Sequence, residues 1–167
     1  MSLGIEIWSG GQTGVDRAAL DLAIELGLRW GGWIPLGRLA EDGTIPDRYD
    51  RLRESDSRDY RVRTRLNVRD TDATLVLRWG PAADGTAHTI EVVVELGRPF
   101  CEIDLASLSR EQAAAKLLEW LQQQPPRFRL NVAGPRASEA PEVYRAALEV
   151  LRQAFTAVLN SVLGTEY

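Results

Sequence analysis

The sequence has one cysteine, Cys101, and one histidine, His88, among its 167 residues. A lone cysteine excludes an internal disulfide framework. One His with one Cys cannot supply a zinc-type ligand cluster, so no metal site is expected and a reducing cytoplasm is the expected location. Long apolar runs are missing as well. No stretch approaches the length that spans a bilayer, and the first residues lack the basic and apolar regions of a signal peptide. Nor does one sign of charge dominate: 20 Lys and Arg stand against 24 Asp and Glu, a net charge of -4 spread along the chain. No basic field exists to gather nucleic acid or an anionic membrane, and a small molecule is the expected partner.

What the sequence does have is enough apolar material, 44%, to bury a core, and a length that suits one domain over 1–167. Short runs rich in β-branched and aromatic residues at Gly4 to Ser9, Leu28 to Pro35, Ala73 to Trp79, Pro99 to Leu105 and Phe128 to Ala133 read as five strands. Helical patterns fall between them. Val15, Ala18, Ala19, Leu22 and Leu26 form one stripe that ends at Gly27, and Thr86 to Leu96 forms a second helix closed by Gly97. Ser109 with Gln112 makes a capping-box start for a helix from Arg110 to Gln123, which Pro125 and Pro126 prevent from continuing. A last helix begins near Pro141 and sets Tyr144, Ala147, Leu151, Phe155, Val158 and Val162 on one face. The charged, Gly- and Pro-bearing stretch from Leu36 to Arg58 reads as a long loop leading into a helix from Tyr60 to Arg69. Alternating strands and helices imply an α/β domain with a helix-covered parallel sheet, which binds ligands at the carboxyl ends of its strands.

Three strand ends carry glycine-bearing loops. The first holds Gly10, Gly11, Gln12, Thr13 and Gly14, then Arg17; absent Cβ atoms let amides approach an anion, and the following helix adds its positive end. This run is neither the six-position dinucleotide fingerprint nor a P-loop. A tight turn capped by Thr13 and closed by Asp16 is the alternative reading. The second loop, with Gly85, Thr86 and His88, follows Trp79 and places Thr86 as the expected cap of the next helix. The third, with Gly134, Pro135 and Arg136, offers a guanidinium suited to phosphate. Trp79 is the aromatic residue best placed to stack on a flat ring, with Trp30 and Trp33 assigned to packing. Asp42, Asp47 and Asp50 match no metal motif, and Cys101 reads as a small buried hydrophobe. No catalytic residue is assigned. An apolar final helix and the run Ile90, Val92, Val93, Val94 suggest a homo-oligomer, dimer or tetramer.

The segments SGGQTGVDRAALD, GGW, PLGR, AEDG, IP, YRVRTRLNVRDTDATLVL and LNVAGPR with PEVY occur in order over nearly the whole chain. In them the sequence resembles the putative molybdenum carrier family, within a wider Rossmann-like superfamily that includes the cytokinin-activating phosphoribohydrolases. The resemblance implies a three-layer Rossmann-like fold and a phosphate-binding pocket, with molybdenum cofactor or another phosphorylated molecule as the ligand of a carrier or storage protein. The segment AGPRASEAPEVY, which resembles the start of the phosphoribohydrolase domain, comes last here. That implies a circular permutation and a sheet order 2-1-5-3-4 in the numbering of the five strands. The alternative is a nucleotide-processing enzyme using Arg63. Against it, His88 stands where those enzymes carry an acidic residue, and Asp84-Gly85 where they carry a glycine pair. Ile34 and Leu36 also depart from the carrier pattern.

Overall fold

Alternating apolar side chains build the first strand, β1 (Gly4–Trp8), with Ile5 and Ile7 on the face that meets the main core. A computed structural model describes residues 4–164; residues 1–3 and 165–167 of the expected domain lie outside it. The following helix, α1 (Val15–Glu25), buries the expected stripe of Val15, Ala18, Ala19 and Leu22. Strand β2 (Arg29–Ile34) then pairs parallel with β1.

The stretch expected to be a loop from Leu36 to Arg58 contains structure. It forms a small hairpin of β3 (Leu39–Ala40) and β4 (Gly43–Thr44), and then a three-residue strand, β5 (Leu52–Glu54), which pairs parallel with β2. The main sheet therefore has six strands rather than the expected five. This excursion is anchored from within. Arg38 donates to the carbonyls of Ile45, Pro46 and Tyr49, and the fully buried Tyr49 donates its hydroxyl to Asp21 of α1 at 2.7 Å. Tyr49 also meets Trp30 edge-on, so Trp30 is a packing residue.

The remaining elements are α2 (Tyr60–Arg69), β6 (Ala73–Arg78), α3 (Asp84–Glu95), β7 (Phe100–Asp104), α4 (Arg110–Gln122), β8 (Arg127–Ala133) and α5 (Val143–Leu163). Ser109 and Gln112 make both bonds of the expected capping box at α4. The sheet runs β5-β2-β1-β8-β6-β7 with every neighbouring pair parallel, which is the expected order with β5 added at the β2 edge. The last strand, β8, thus inserts between β1 and β6. One sheet face, with Leu75, Leu77, Leu130 and Val132, shares a core with α1, α4 and α5. Helices α2 and α3 pack together through Val68, Val92, Val93 and Leu96. The apolar stripe of α5 is largely covered within the chain, where Ala147, Leu151 and Phe155 are buried. Among the described residues no helix is long and apolar enough to cross a membrane.

Two expected caps are corrected. Helix α1 starts after Gly14 with no side-chain cap, because the Thr13 hydroxyl is turned across to the third loop, where it accepts from the Ala137 amide at 3.1 Å and donates to Glu41. Helix α3 begins two residues before Thr86, after Ala83, again without a side-chain cap. Thr86 consequently lies inside the first turn with its hydroxyl free to face elsewhere.

Candidate functional site

The connections after β8 and β6 diverge, α5 packing with the main-core helices and α3 with α2, and such a divergence opens a crevice at the strand ends. A cavity of about 450 Å³ lies there, lined by the starts of α1, α2 and α3 and by the end of β8. It brings together six of the residues expected to bind the ligand, Gln12, Gly85, Thr86, His88, Gly134 and Arg136, and adds Asp16, Arg63 and Asp84, which the sequence reading named in other roles.

The other residues expected to bind the ligand lie outside its lining. Gly10 leaves room for Arg63, whose Cζ would stand 2.6 Å from a Cβ there. Gly11 turns its open side to the apolar side chains of Ile45, Ile34 and Leu52. Gly14 and Pro135 meet where the first and third loops touch: the Pro135 carbonyl accepts from the Val15 amide at 3.2 Å. Thr13 holds the third loop as described. Arg17 makes two hydrogen bonds to Asp42, at 2.6 and 2.8 Å, and one to the Gly11 carbonyl. That pairing also removes Asp42 from the set of free loop carboxylates. Trp79 packs against the main core, and Trp33 donates to Asp70 at 2.8 Å.

The aromatic surface in the cavity is Tyr60, which sequence reading passed over together with Thr64, Thr89 and Glu139. A signal existed: Tyr60, Arg63 and Thr64 are spaced to share one face of α2, whose start is fixed by Asp59 accepting from the Arg61 amide.

Four polar groups define the chemistry. Arg63 is largely buried; it donates to Thr64 Oγ1 at 2.7 Å, while its Nε has no hydrogen-bond partner and its Nη2 lies 4.0 Å from Asp16. Thr86 is 4% exposed and its Oγ1 has no partner. His88 has a buried, unpartnered Nε2, with Nδ1 3.8 Å from Glu91. Arg136 Nε is likewise buried without a hydrogen-bond partner, although ion pairing at 2.9 Å to Glu139 and 3.5 Å to Glu41 already balances much of its charge. Desolvation works against the Glu41 charge, but hydrogen bonds from Ser138 and Thr13 hold its carboxyl below the usual range.

Asp16 is the buried acid of the site. Its Oδ2 accepts from the Gln12 amide at 3.2 Å, which closes the first loop as the alternative reading expected. Burial pushes its carboxyl up to about 6, outweighing the opposing pull of Arg63, of the loop amides and of Arg17. Between about pH 4 and pH 6 the folded chain keeps a proton here that the unfolded chain releases, so the contribution of this group turns against the fold as pH rises through that window. The whole change is on the order of 3 kcal/mol. Asp16→Asn is expected to abolish it, so the stability of the variant relative to wild type should improve from pH 4 to pH 7 in denaturant titrations. A relative stability independent of pH would contradict the assignment.

The model of the circularly permutated YpsA SLOG family matches residues 7–155. Among solved structures, the chain is similar to the crystal structure of a putative molybdenum carrier protein from Syntrophus aciditrophicus SB: 43% identity over 89% of this chain and 93% of that one, with a TM-score of 0.84. No curated protein matches. With the permuted strand order, the family match over most of the chain and this relative in agreement, the chain belongs to the circularly permutated YpsA SLOG family.

Proposed function

We propose that the chain holds a phosphate-bearing small molecule in this cavity, as a carrier or storage protein. The name of the solved relative refers to carrying molybdenum, and the molybdenum cofactor, a phosphorylated pterin bearing the metal, is the candidate cargo that the sequence resemblance implies. The observation that carries the reading is the group of buried atoms without hydrogen-bond partners, Arg63 Nε, Thr86 Oγ1, His88 Nε2 and Arg136 Nε, on residues lining one cavity. A buried polar group without a partner costs about 1–3 kcal/mol, and that cost is offset when a ligand supplies the missing bond. Each of these atoms is able to donate, His88 Nε2 in the tautomer that protonates it, and a phosphate offers acceptors to all of them. The start of α3, which no side chain caps, adds the positive end of the helix dipole. The cavity volume falls within the range of small-molecule sites.

Thr86→Val tests the reading because it removes the hydroxyl and keeps the shape. Stability should hold or rise, since the lost hydroxyl was buried without a partner, while affinity for the phosphorylated ligand should fall about tenfold or more. Native mass spectrometry of protein purified without added ligand is expected to show a bound phosphorylated compound, and calorimetry on both forms measures the change. A wild-type protein that carries nothing and binds no phosphorylated pterin or nucleotide would overturn the proposal.

A further inference from the structure

A phosphate held by Thr86, His88 and the start of α3 leaves Asp16, and Arg63 at 4.0 Å from it, without a purpose. The cavity is not simply cationic: Arg61, Arg63 and Arg136 are matched there by Asp16, Asp59, Asp84 and Glu139. Asp59 pairs with Arg61 at 3.1 Å, Glu139 stands 2.9 Å from Arg136, and Asp84 is exposed. Asp16 alone is a 4% exposed carboxyl whose nearest cation stops 4.0 Å away, beyond hydrogen-bond distance. It accepts from backbone amides of its own loop, yet those do not make up for the loss of water. Such a group favours a ligand that brings further N–H donors to it.

We propose that Asp16 and Arg63 together read the edge of the ligand's ring, and that this ring carries a 2-amino-4-oxo pyrimidine edge, the one shared by pterins and guanine. That edge presents an amino N–H and a ring N–H side by side, then a carbonyl. A carboxylate accepts from both N–H groups, and a neighbouring guanidinium donates to the carbonyl. Adenine offers such a carboxylate one amino donor flanked by acceptor nitrogens, so the second carboxylate oxygen is left facing a lone pair.

The sheet supports the division of labour. Asp16 starts the helix after β1, Thr86 lies in the helix after β6, and β8 runs between those strands. Strands β1 and β6 lie two strand spacings apart, about 9–10 Å, and α1 and α3 leave them on opposite faces of the sheet, so Asp16 and Thr86 stand at separate ends of the cavity, suited to a ring edge at one and a phosphate at the other. Tyr60, on the α2 turn that carries Arg63, supplies a flat wall beside the ring position, its ring centroid 5.7 Å from the Arg63 guanidinium carbon.

The inference rests on the proposal that the cavity takes a phosphorylated molecule, and titration calorimetry with simple probes separates the two. GMP should bind at least about tenfold more tightly than IMP, which lacks only the 2-amino group, and more tightly than AMP. 6-Hydroxymethylpterin monophosphate shares the edge and is expected to match or exceed GMP if the natural source is a pterin, and to fall below it if the source is a nucleotide; either ranking supports the edge assignment. Asp16→Asn keeps an acceptor for the Gln12 amide but turns an NH₂ toward one donor of the ligand, and should bring GMP and IMP within threefold of each other. Should that variant fail to fold, the wild-type ratio of GMP to IMP decides. Equal binding of GMP, IMP, AMP and ribose 5-phosphate would leave a phosphate seat standing and overturn the ring assignment. Failure of every probe, the pterin included, would overturn both.

Discussion

Gly14→Ala is expected to destabilise the fold by about 3–5 kcal/mol, enough to leave a domain of this size largely unfolded in mild denaturant. Two costs add. Gly14 has φ +81°, a backbone conformation that a residue with a Cβ adopts only with strain of about 1–2 kcal/mol. The new Cβ would also stand 2.3 Å from the Pro135 carbonyl oxygen and 3.0 Å from the Ala137 amide nitrogen, and both are backbone atoms that cannot swing aside. The first and third loops approach this closely because the Val15 amide bonds to Pro135 across the gap. Equilibrium unfolding in urea measures the effect. A loss below about 1 kcal/mol would mean that the loops can separate without harm, and that the cavity they border is more adaptable than its geometry indicates.

Arg63→Ala should have the largest effect on binding, about a hundredfold loss of affinity for any phosphorylated ligand of the cavity. Removing one member of a buried charged pair costs about 2–5 kcal/mol in binding, because the partner is left in a dry site without its counter-charge. In the free protein the substitution also removes the bond to Thr64 and the contact with the Tyr60 ring. It further removes the largest force that lowers the Asp16 carboxyl, so that group should titrate above its present value of about 6. The variant therefore has a second signature: the pH window over which Asp16 opposes folding extends upward. Arg63→Lys keeps a charge but not the planar fork, and is expected to recover only part of the affinity. If Arg63→Ala binds within threefold of wild type with an unmoved pH profile, Arg63 holds the fold rather than the ligand.

Much of the architecture was readable from local pattern. The strands Gly4–Trp8 and Ala73–Arg78 and the stripe of α1 are written in apolar periodicity, and Ser109 with Gln112 marks the α4 start by two bonds that span three residues. The position of β8 between β1 and β6 was reached through the resemblance of the segment that follows it, not through any property of the strand. By contrast, β5 is three residues long with only Leu52 buried, so it carries no alternation; it exists as a strand because β2 offers an open edge. Thr13 and Thr86 looked like caps because a Thr before an apolar run is the local signature of one. Tertiary contacts took the Thr13 hydroxyl to Glu41 and Ala137, and α3 starts two residues ahead of Thr86.

The sequence by itself determined the order of elements, the glycine-bearing strand ends and the chemistry available there, since these depend on residues close to one another in the chain. Only the tertiary structure decided which of those residues face a common cavity. Arg17 and Arg63 are both arginines near a glycine loop in the folded chain, yet Asp42 of the hairpin pairs with the first, while the second lies against Gly10 and keeps an Nε without a partner. That choice is made by residues 25 to more than 40 positions apart in sequence. Burial is likewise a property of the assembled chain, and burial is what turns Asp16 from an ordinary first-turn carboxylate into an acid raised to about 6.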